Sequence, residues 1–289
     1  MKRNEFIINS FNIESDKNIA ICSDIHINKN TRKKDLNDIL ETLDEIKPTH
    51  IVIPGDLYDV SNPSLLDIQS SVLYFVNNAS SIAPTFYVQG NVEQRMTDGI
   101  REYKIDYLPE KLVFNSNPNF HLLCEKNIEG IINYYYSDGI NIAGIKLPVE
   151  FYNLSELERT NFLLTQYKDY LINLSSKIGN KNFNLLLCHD PIICDTIKNF
   201  PNLNFDLIVS GHNHGGLWPK AMRPVFKFMG TNMDLCYPKY TRGMIDIIPN
   251  KKRMIVSEGI TRFHSDFGSL QLLEKVHTGT IENVKILKR

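Results

Sequence analysis

The sequence predicts an α/β protein whose strand ends carry the chemistry. Three observations lead there. Short apolar runs of strand length alternate with amphipathic stretches of helical period through the first part of the chain. The carboxyl-terminal part holds mostly strand-like segments. Acidic, amide and imidazole side chains follow directly on several apolar runs, where open α/β sheets gather their ligands.

The elements come in a clear order. Ile19-Ala20-Ile21-Cys22 is an apolar run ending at Ser23-Asp24, the pattern of a buried strand. Lys34 to Ile46 places Leu36, Ile39, Leu40, Leu43 and Ile46 at helical spacing, and Pro48 closes it. Ile51-Val52-Ile53 forms a second strand running into Pro54-Gly55-Asp56, with a helix from Ser64 to about Asn77. Thr85 to Val88 is a third strand, ending at Gly90-Asn91. Phe120 to Ile145 reads as antiparallel strands, with Asp138-Gly139 as a hairpin turn. Ser155 to Ile178 reads as one long amphipathic helix. Strands then occur at Phe183 to Cys188 and Leu207 to Val209, and at Met244–Ile248, Arg253–Val256, Ser269–Leu273 and Ile281–Leu287. No repeat, low-complexity linker or composition shift divides the chain, so a single domain over residues 1–289 is expected.

Composition works by exclusion. At 289 residues, 42% hydrophobic and 22% charged, the chain can bury a sizeable core. A formal net charge of -1 gives no general attraction to nucleic acid or anionic lipid. No run of about 18 apolar residues suggests a membrane span, and no apolar stretch comes after the basic Met1-Lys2-Arg3 start as a signal peptide requires. The five cysteines form no CxxC pair, which argues against a disulfide framework and for the cytoplasm. The Asn-, Ile- and Lys-rich composition points to a bacterial source.

Five short islands stand in order: Asp24-Ile25-His26, Gly55-Asp56-Leu57-Tyr58-Asp59, Gly90-Asn91-Val92-Glu93, His189 and Gly211-His212-Asn213-His214. Each alone is an ordinary turn or cap; the ordered set offers oxygen and nitrogen donors enough for two divalent ions. It resembles the calcineurin-like metallophosphoesterase family, with its pattern D-x-H, G-D-x-x-D, G-N-H-[DE], a lone H and G-H-x-H. The resemblance covers roughly residues 19 to 260. Gly215-Gly216 is similar to a bacterial branch whose last motif ends G-H-x-H-G-G and whose members act on phosphodiesters, some lipid-linked.

The resemblance implies a four-layer αββα sandwich of two mixed β-sheets flanked by helices. It implies one metal held by Asp24, His26, Asp56 and His214 and a second held by Asp56, Asn91, His189 and His212. Asp56 would bridge the ions along with a hydroxide that attacks phosphorus, which makes Asp56, Asn91 and His212 the expected catalytic residues. Mixed carboxylate, amide and imidazole donors favour manganese, iron, cobalt or zinc over magnesium or calcium without choosing among the four; manganese is the expected ion. The implied activity is hydrolysis of a phosphodiester or phosphoanhydride in a small phosphorylated substrate, nucleotide- or lipid-linked. Two further readings stand beside it: a metal-bearing scaffold without turnover, and, behind that, a nuclease.

One departure matters. Residue 92 is Val where the family carries a His that protonates the leaving oxygen or contacts the phosphate. General acid catalysis is worth ~10²–10⁴-fold, so a basic alkoxide leaving group suffers most from its loss. Members similar to UDP-2,3-diacylglucosamine hydrolase replace this His with Arg and still cleave pyrophosphate. A weakly basic leaving group is therefore expected.

Substrate contacts are expected from irregular segments. Trp218, Lys220 and Arg223 come after the last motif and can wall the site, the cations pairing with phosphate and the indole offering an apolar face. Arg95, on the Val92-Glu93-Gln94-Arg95 rim, is a candidate replacement for the missing imidazole, as is His264 in a polar loop. His50, His121 and His277 read as structural.

Overall fold

The computed structural model describes residues 7–13, 17–59, 65–94, 116–123, 125–127, 130–132, 134–216, 238–249, 251–260 and 280–286. Strands β1 (Ile7–Ile13) and β2 (Lys17–Ile21) lead into α1 (Lys33–Ile46), β3 (His50–Ile53), α2 (Leu65–Ile82) and β4 (Thr85–Tyr87). Next come β5 (Phe120–Leu122), a small hairpin of β6 (Glu125–Asn127) and β7 (Gly130–Ile132), then β8 (Tyr134–Ser137) and β9 (Ile140–Ile145). Helices α3 (Glu156–Phe162) and α4 (Lys168–Ile178) precede β10 (Phe183–Cys188), α5 (Ile193–Asn199) and β11 (Leu207–Ser210). Strands β12 (Gly243–Ile248), β13 (Lys252–Val256) and β14 (Thr280–Ile286) finish the order.

Among the described residues, two six-stranded sheets form, ordered β1-β14-β2-β3-β4-β5 and β12-β13-β11-β10-β9-β8. Strands β2 to β5 run parallel, as do β9, β10, β11 and β13. Antiparallel pairs at β2/β14, β8/β9 and β12/β13 make both sheets mixed.

Side-chain alternation builds the layers, since successive strand residues point to opposite faces. Ile19, Ile21, Val52 and Phe86 of the first sheet meet Ile142, Leu185, Leu187, Val209 and Ile255 of the second in one apolar cluster. Their neighbours Ala20, Cys22, Ile51 and Ile53 turn the other way onto Leu36, Leu43, Val72 and Phe75 of α1 and α2. On the far side, Leu186, Cys188, Ile208 and Met254 pack against Leu171, Leu174, Ile193 and Ile197 of α4 and α5. Both faces of each central strand are buried, which explains why these runs are continuously apolar rather than alternating. The result is the expected αββα sandwich.

Local chemistry sets the helix ends. Lys47 takes a left-handed φ of 50° and returns its N–H to Leu43 O at 3.1 Å, ending α1 just before Pro48. Ser155 and Glu158 form a reciprocal capping box that starts α3.

Several expectations are revised. The helix expected over Ser155 to Ile178 is interrupted by a π-helical turn at Leu163–Tyr167. The helix expected to end near Asn77 runs on to Ile82. Phe120–Leu122 pairs parallel with β4 instead of joining an antiparallel meander, because it extends the first sheet while β9 and the edge strand β8 belong to the second. The strand expected at Ser269–Leu273 lies outside the described residues. No helix among the described residues is long and apolar enough to cross a membrane.

Candidate metal centre

The parallel strands of both sheets deliver their carboxyl ends to one pole, and the loops there hold the five sequence islands. After β2 the chain runs beside the loop after β3, with Asp24 N–H to Gly55 O at 3.1 Å, His26 N–H to Asp56 O at 3.0 Å and Ile27 N–H to Leu57 O at 3.0 Å. Asp24, His26 and Asp56 adopt positive φ of 52°, 49° and 50°, and His212 and His214 adopt 71° and 43°. Such conformations are costly for residues with a Cβ, and structures retain them where surrounding contacts over-determine them, often at functional sites.

Two donor groups result. Asp24, His26 and His214 bring one carboxylate oxygen and two imidazole nitrogens within 4.8 Å of one another, and Asp56, His189 and His212 do the same. His26 Nε2 and His214 Nε2 face each other at 3.4 Å, and His214 Nε2 lies 3.5 Å from Asp24 Oδ1. Asn91 Oδ1 stands 3.2 Å from His189 Nε2, adding an amide oxygen to the second group. Asp56 joins the groups: its Oδ2 is 3.2 Å from His189 Nε2 and 3.7 Å from His26 Nε2. All seven sequence-selected residues thus converge. Carboxylate and imidazole atoms gathered this closely are the donor chemistry that divalent transition ions take.

A second tier of contacts orients the donors. His189 Nδ1 donates to Pro54 O at 2.8 Å, which holds Nε2 toward Asp56 and Asn91. Ser23 Oγ hydrogen-bonds Asp24, and His212 N–H reaches both Asp24 oxygens at 3.1 and 3.2 Å, so the Asp24 carboxylate also anchors a loop from the other sheet. Val92 N–H donates to Asp56 Oδ1 at 3.0 Å. Gly90 has to be glycine: a Cβ there would fall on the Asp56 carboxylate. At Gly55, φ is 114° and a Cβ would meet the His189 ring.

Electrostatics divide the histidines. Burial works to lower His189, but the adjoining Asp56, by charge and hydrogen bond, carries it up to about 10. Burial likewise opposes ionisation of Asp56, yet His189 and His26 hold it well below the ordinary carboxylate range. His212 is pushed down to about 4 by burial, and burial lowers His214 as well.

Some contributors escaped the sequence reading. Glu93, expected on the rim, is fully buried; it accepts from Leu57 N–H, from Tyr58 N–H at 3.4 Å and from Gly90 N–H at 3.0 Å, tying the Gly55 and Gly90 loops together. Gln94 is buried too, bonded to Gly90 O. Asp190 pairs with Arg159, caps Ile192 N–H at 2.8 Å and places Oδ2 3.9 Å from His212 Nε2. Tyr152 lays its ring 5.2 Å from His212 and 6.2 Å from His189. The tightly spaced Glu-after-Asn was the one signal available for Glu93; the others come from segments with no motif. Arg95, Trp218, Lys220, Arg223 and His264 lie outside the described residues.

This sandwich, with two donor groups joined by one carboxylate, is the build of a metallophosphoesterase. The chain belongs to the calcineurin-like phosphoesterase family, whose model matches residues 17–216. It is 28% identical over 86% of its length to an uncharacterised metallophosphoesterase of Campylobacter jejuni, covering 54% of that protein. It is 26% identical over 71% of its length to one from Helicobacter pylori, covering 46% of it. The chain therefore spans about half the length of the curated relatives it matches. Among solved structures, a dimetal phosphatase from Danio rerio aligns over 85% of this chain and 88% of its own, at 12% identity and a TM-score of 0.44.

Proposed function

We propose that the chain hydrolyses a phosphodiester or phosphoanhydride at a binuclear metal centre, with a leaving group that departs as a weak base. The observation that carries this reading is the position of Asp56 Oδ2 between His26 and His189, one carboxylate facing both donor groups. Asp24, His26, Asp56 and His214 would hold one ion, and Asp56, Asn91, His189 and His212 the other. Two divalent ions supply charge for the phosphoryl oxygens and a nucleophile derived from water.

The chain's own residues account for the rest. Asp56 is kept ionised by its histidines, so it is ready to bridge without losing a proton first. Pro54 O fixes the His189 tautomer. Val92 contributes its backbone N–H to Asp56, and its isopropyl group offers no proton to a departing oxygen. A nucleotide phosphate or an activated ester leaves without that proton, while a simple alkoxide does not. Manganese in the cytoplasm and a nucleotide- or lipid-linked substrate complete the reading.

The test is hydrolysis of bis(p-nitrophenyl) phosphate with added Mn²⁺, run beside Asp56→Asn. Turnover in the parent that vanishes in the variant supports the proposal. A folded, metal-loaded protein that turns over neither this diester nor a nucleotide anhydride supports the scaffold reading instead.

A further inference from the structure

Position 92 carries Val, whose side chain offers a phosphate no hydrogen bond. We propose that the Tyr152 hydroxyl supplies one, donating to a phosphoryl oxygen of the bound substrate; this rests on the phosphoesterase reading above. Tyr152 sits on the short helical turn Val149–Asn153 beyond β9. Its ring packs on His212 and His189, both from the donor group to which Asn91 belongs, so it borders the same half of the centre as the missing side chain. Phe151 meets the ring edge-on at 5.3 Å.

The hydroxyl is the informative atom. It is buried and has no hydrogen-bond partner among the described residues. Buried donors left unpaired are costly, and native structures rarely keep them without a purpose. Three carboxylates act on this hydroxyl electrostatically: Asp190, Asp56 and Glu93. Each already accepts from elsewhere. Asp190 takes Arg159 and Ile192 N–H, Asp56 takes Val92 N–H, and Glu93 takes the Leu57, Tyr58 and Gly90 amides. None of them is hydrogen-bonded to Tyr152. An acceptor brought by the ligand satisfies the hydroxyl, and a phosphoryl oxygen is the acceptor this centre is built to receive. A neutral phenol donates at any ordinary pH, so the contact needs no proton transfer.

The experiment measures inorganic phosphate binding to the metal-loaded protein by calorimetry, with metal content determined on the same samples. Tyr152→Phe keeps the ring and removes only the donor. The expected result is phosphate affinity lowered about 10- to 100-fold, as for loss of a hydrogen bond to a charged group, at unchanged metal content and with the melting temperature unchanged or raised. Adding Val92→His to Tyr152→Phe restores part of the affinity. Phosphate binding within twofold of the parent, a loss that tracks missing metal, or a parent that binds no phosphate overturns the assignment. Diester turnover by the parent is read separately: a parent that binds phosphate but hydrolyses nothing sinks the phosphoesterase reading, and an active parent matched by Tyr152→Phe sinks Tyr152 alone.

Discussion

Six of the chain's eight histidines fall among the described residues, and they occupy two contrasting places. His26, His189, His212 and His214 lie in loops past the carboxyl ends of parallel strands, each close to a carboxylate. His50 opens β3 and His121 sits within β5, away from that pole. His50 is bonded to Thr49 Oγ1 at 2.9 Å and Ser137 Oγ at 3.1 Å. His121 stacks on Phe86 at 4.6 Å and meets Tyr135, tilted, at 4.4 Å. Burial lowers both, with the charges near His50 too weak to reverse it. At the loop pole, by contrast, Asp56 overrides burial and lifts His189 to about 10. One residue type thus becomes a candidate ligand where carboxylates converge and a neutral spacer where hydroxyls and aromatic rings surround it. Context, not identity, makes the distinction.

The sharpest way to break this contrast is to truncate one histidine from each place. His189→Ala is expected to lose one of two bound metals and at least about 100-fold in diester turnover, since even indirect metal-site contacts carry 10–100-fold effects. His121→Ala is expected to keep both metals and most turnover while losing about 1–3 kcal/mol of stability. Metal analysis and thermal melts on the two variants decide it; equal metal loss in both would erase the distinction. Glu93→Gln comes next. It weakens the amide cluster tying the two loops, so a fall of about 1–3 kcal/mol in stability is expected, with metal affinity down about 10-fold. An unchanged melting temperature and metal affinity would reduce Glu93 to a bystander.

Proton counting sharpens the same comparison. In metal-free protein near pH 8, His189 retains its proton because its pKa is about 10, whereas His212, near 4, is already neutral. A metal takes only the neutral ring. Loading at pH 8 should therefore release about one proton through His189, visible by calorimetry in buffers of differing ionisation enthalpy; no buffer dependence would contradict the assigned charge. Stability of the metal-free protein has the same sign. The His189 contribution is fully present below its unfolded value and is lost as pH rises toward 10. The smallest effect belongs to the inter-sheet pair. Their folded values lie below the unfolded value of about 6.5, so stability falls as pH drops below it. His121→Phe should melt with a shallower decline between pH 7.5 and 5.5 than the parent; parallel declines would remove His121 from the account.

The legible and illegible parts separate along a physical line. Asp24, His26, Asp56, Asn91, His189, His212 and His214 are readable because each stands within a few residues of an apolar run, and parallel strands carry the loops at their carboxyl ends to one pole of the sheet. The central strands are readable because burial on both faces leaves an uninterrupted apolar stretch. Hidden elements are those fixed by distant partners. Strand β1 is polar at three of its seven positions and is recognised by its pairing with β14, residue for residue from Ile7–Thr280 to Ile13–Ile286. The π turn at Leu163–Tyr167 keeps an unbroken helical period in sequence and shows only in backbone bonding. Helix α5 is too short to announce a period. Tyr152 and Arg159 reach the centre from a connection with no motif, and Glu93 reads as a rim residue because its place two positions after Asn91 does not show that three amides draw it inward.

The insertion of β14 between β1 and β2 has a kinetic consequence. Strand β2 delivers Asp24 and His26, yet one of its two edges is closed by residues 282–286, more than 250 positions downstream. On a ribosome, that edge stays open until almost all of the described chain has emerged. Contacts of such separation make closure slow, and an unpaired strand edge is prone to pairing with the wrong chain in the meantime. The first sheet is therefore sealed late, and slow elongation through the segment between β2 and β14 is expected to expose this edge longest.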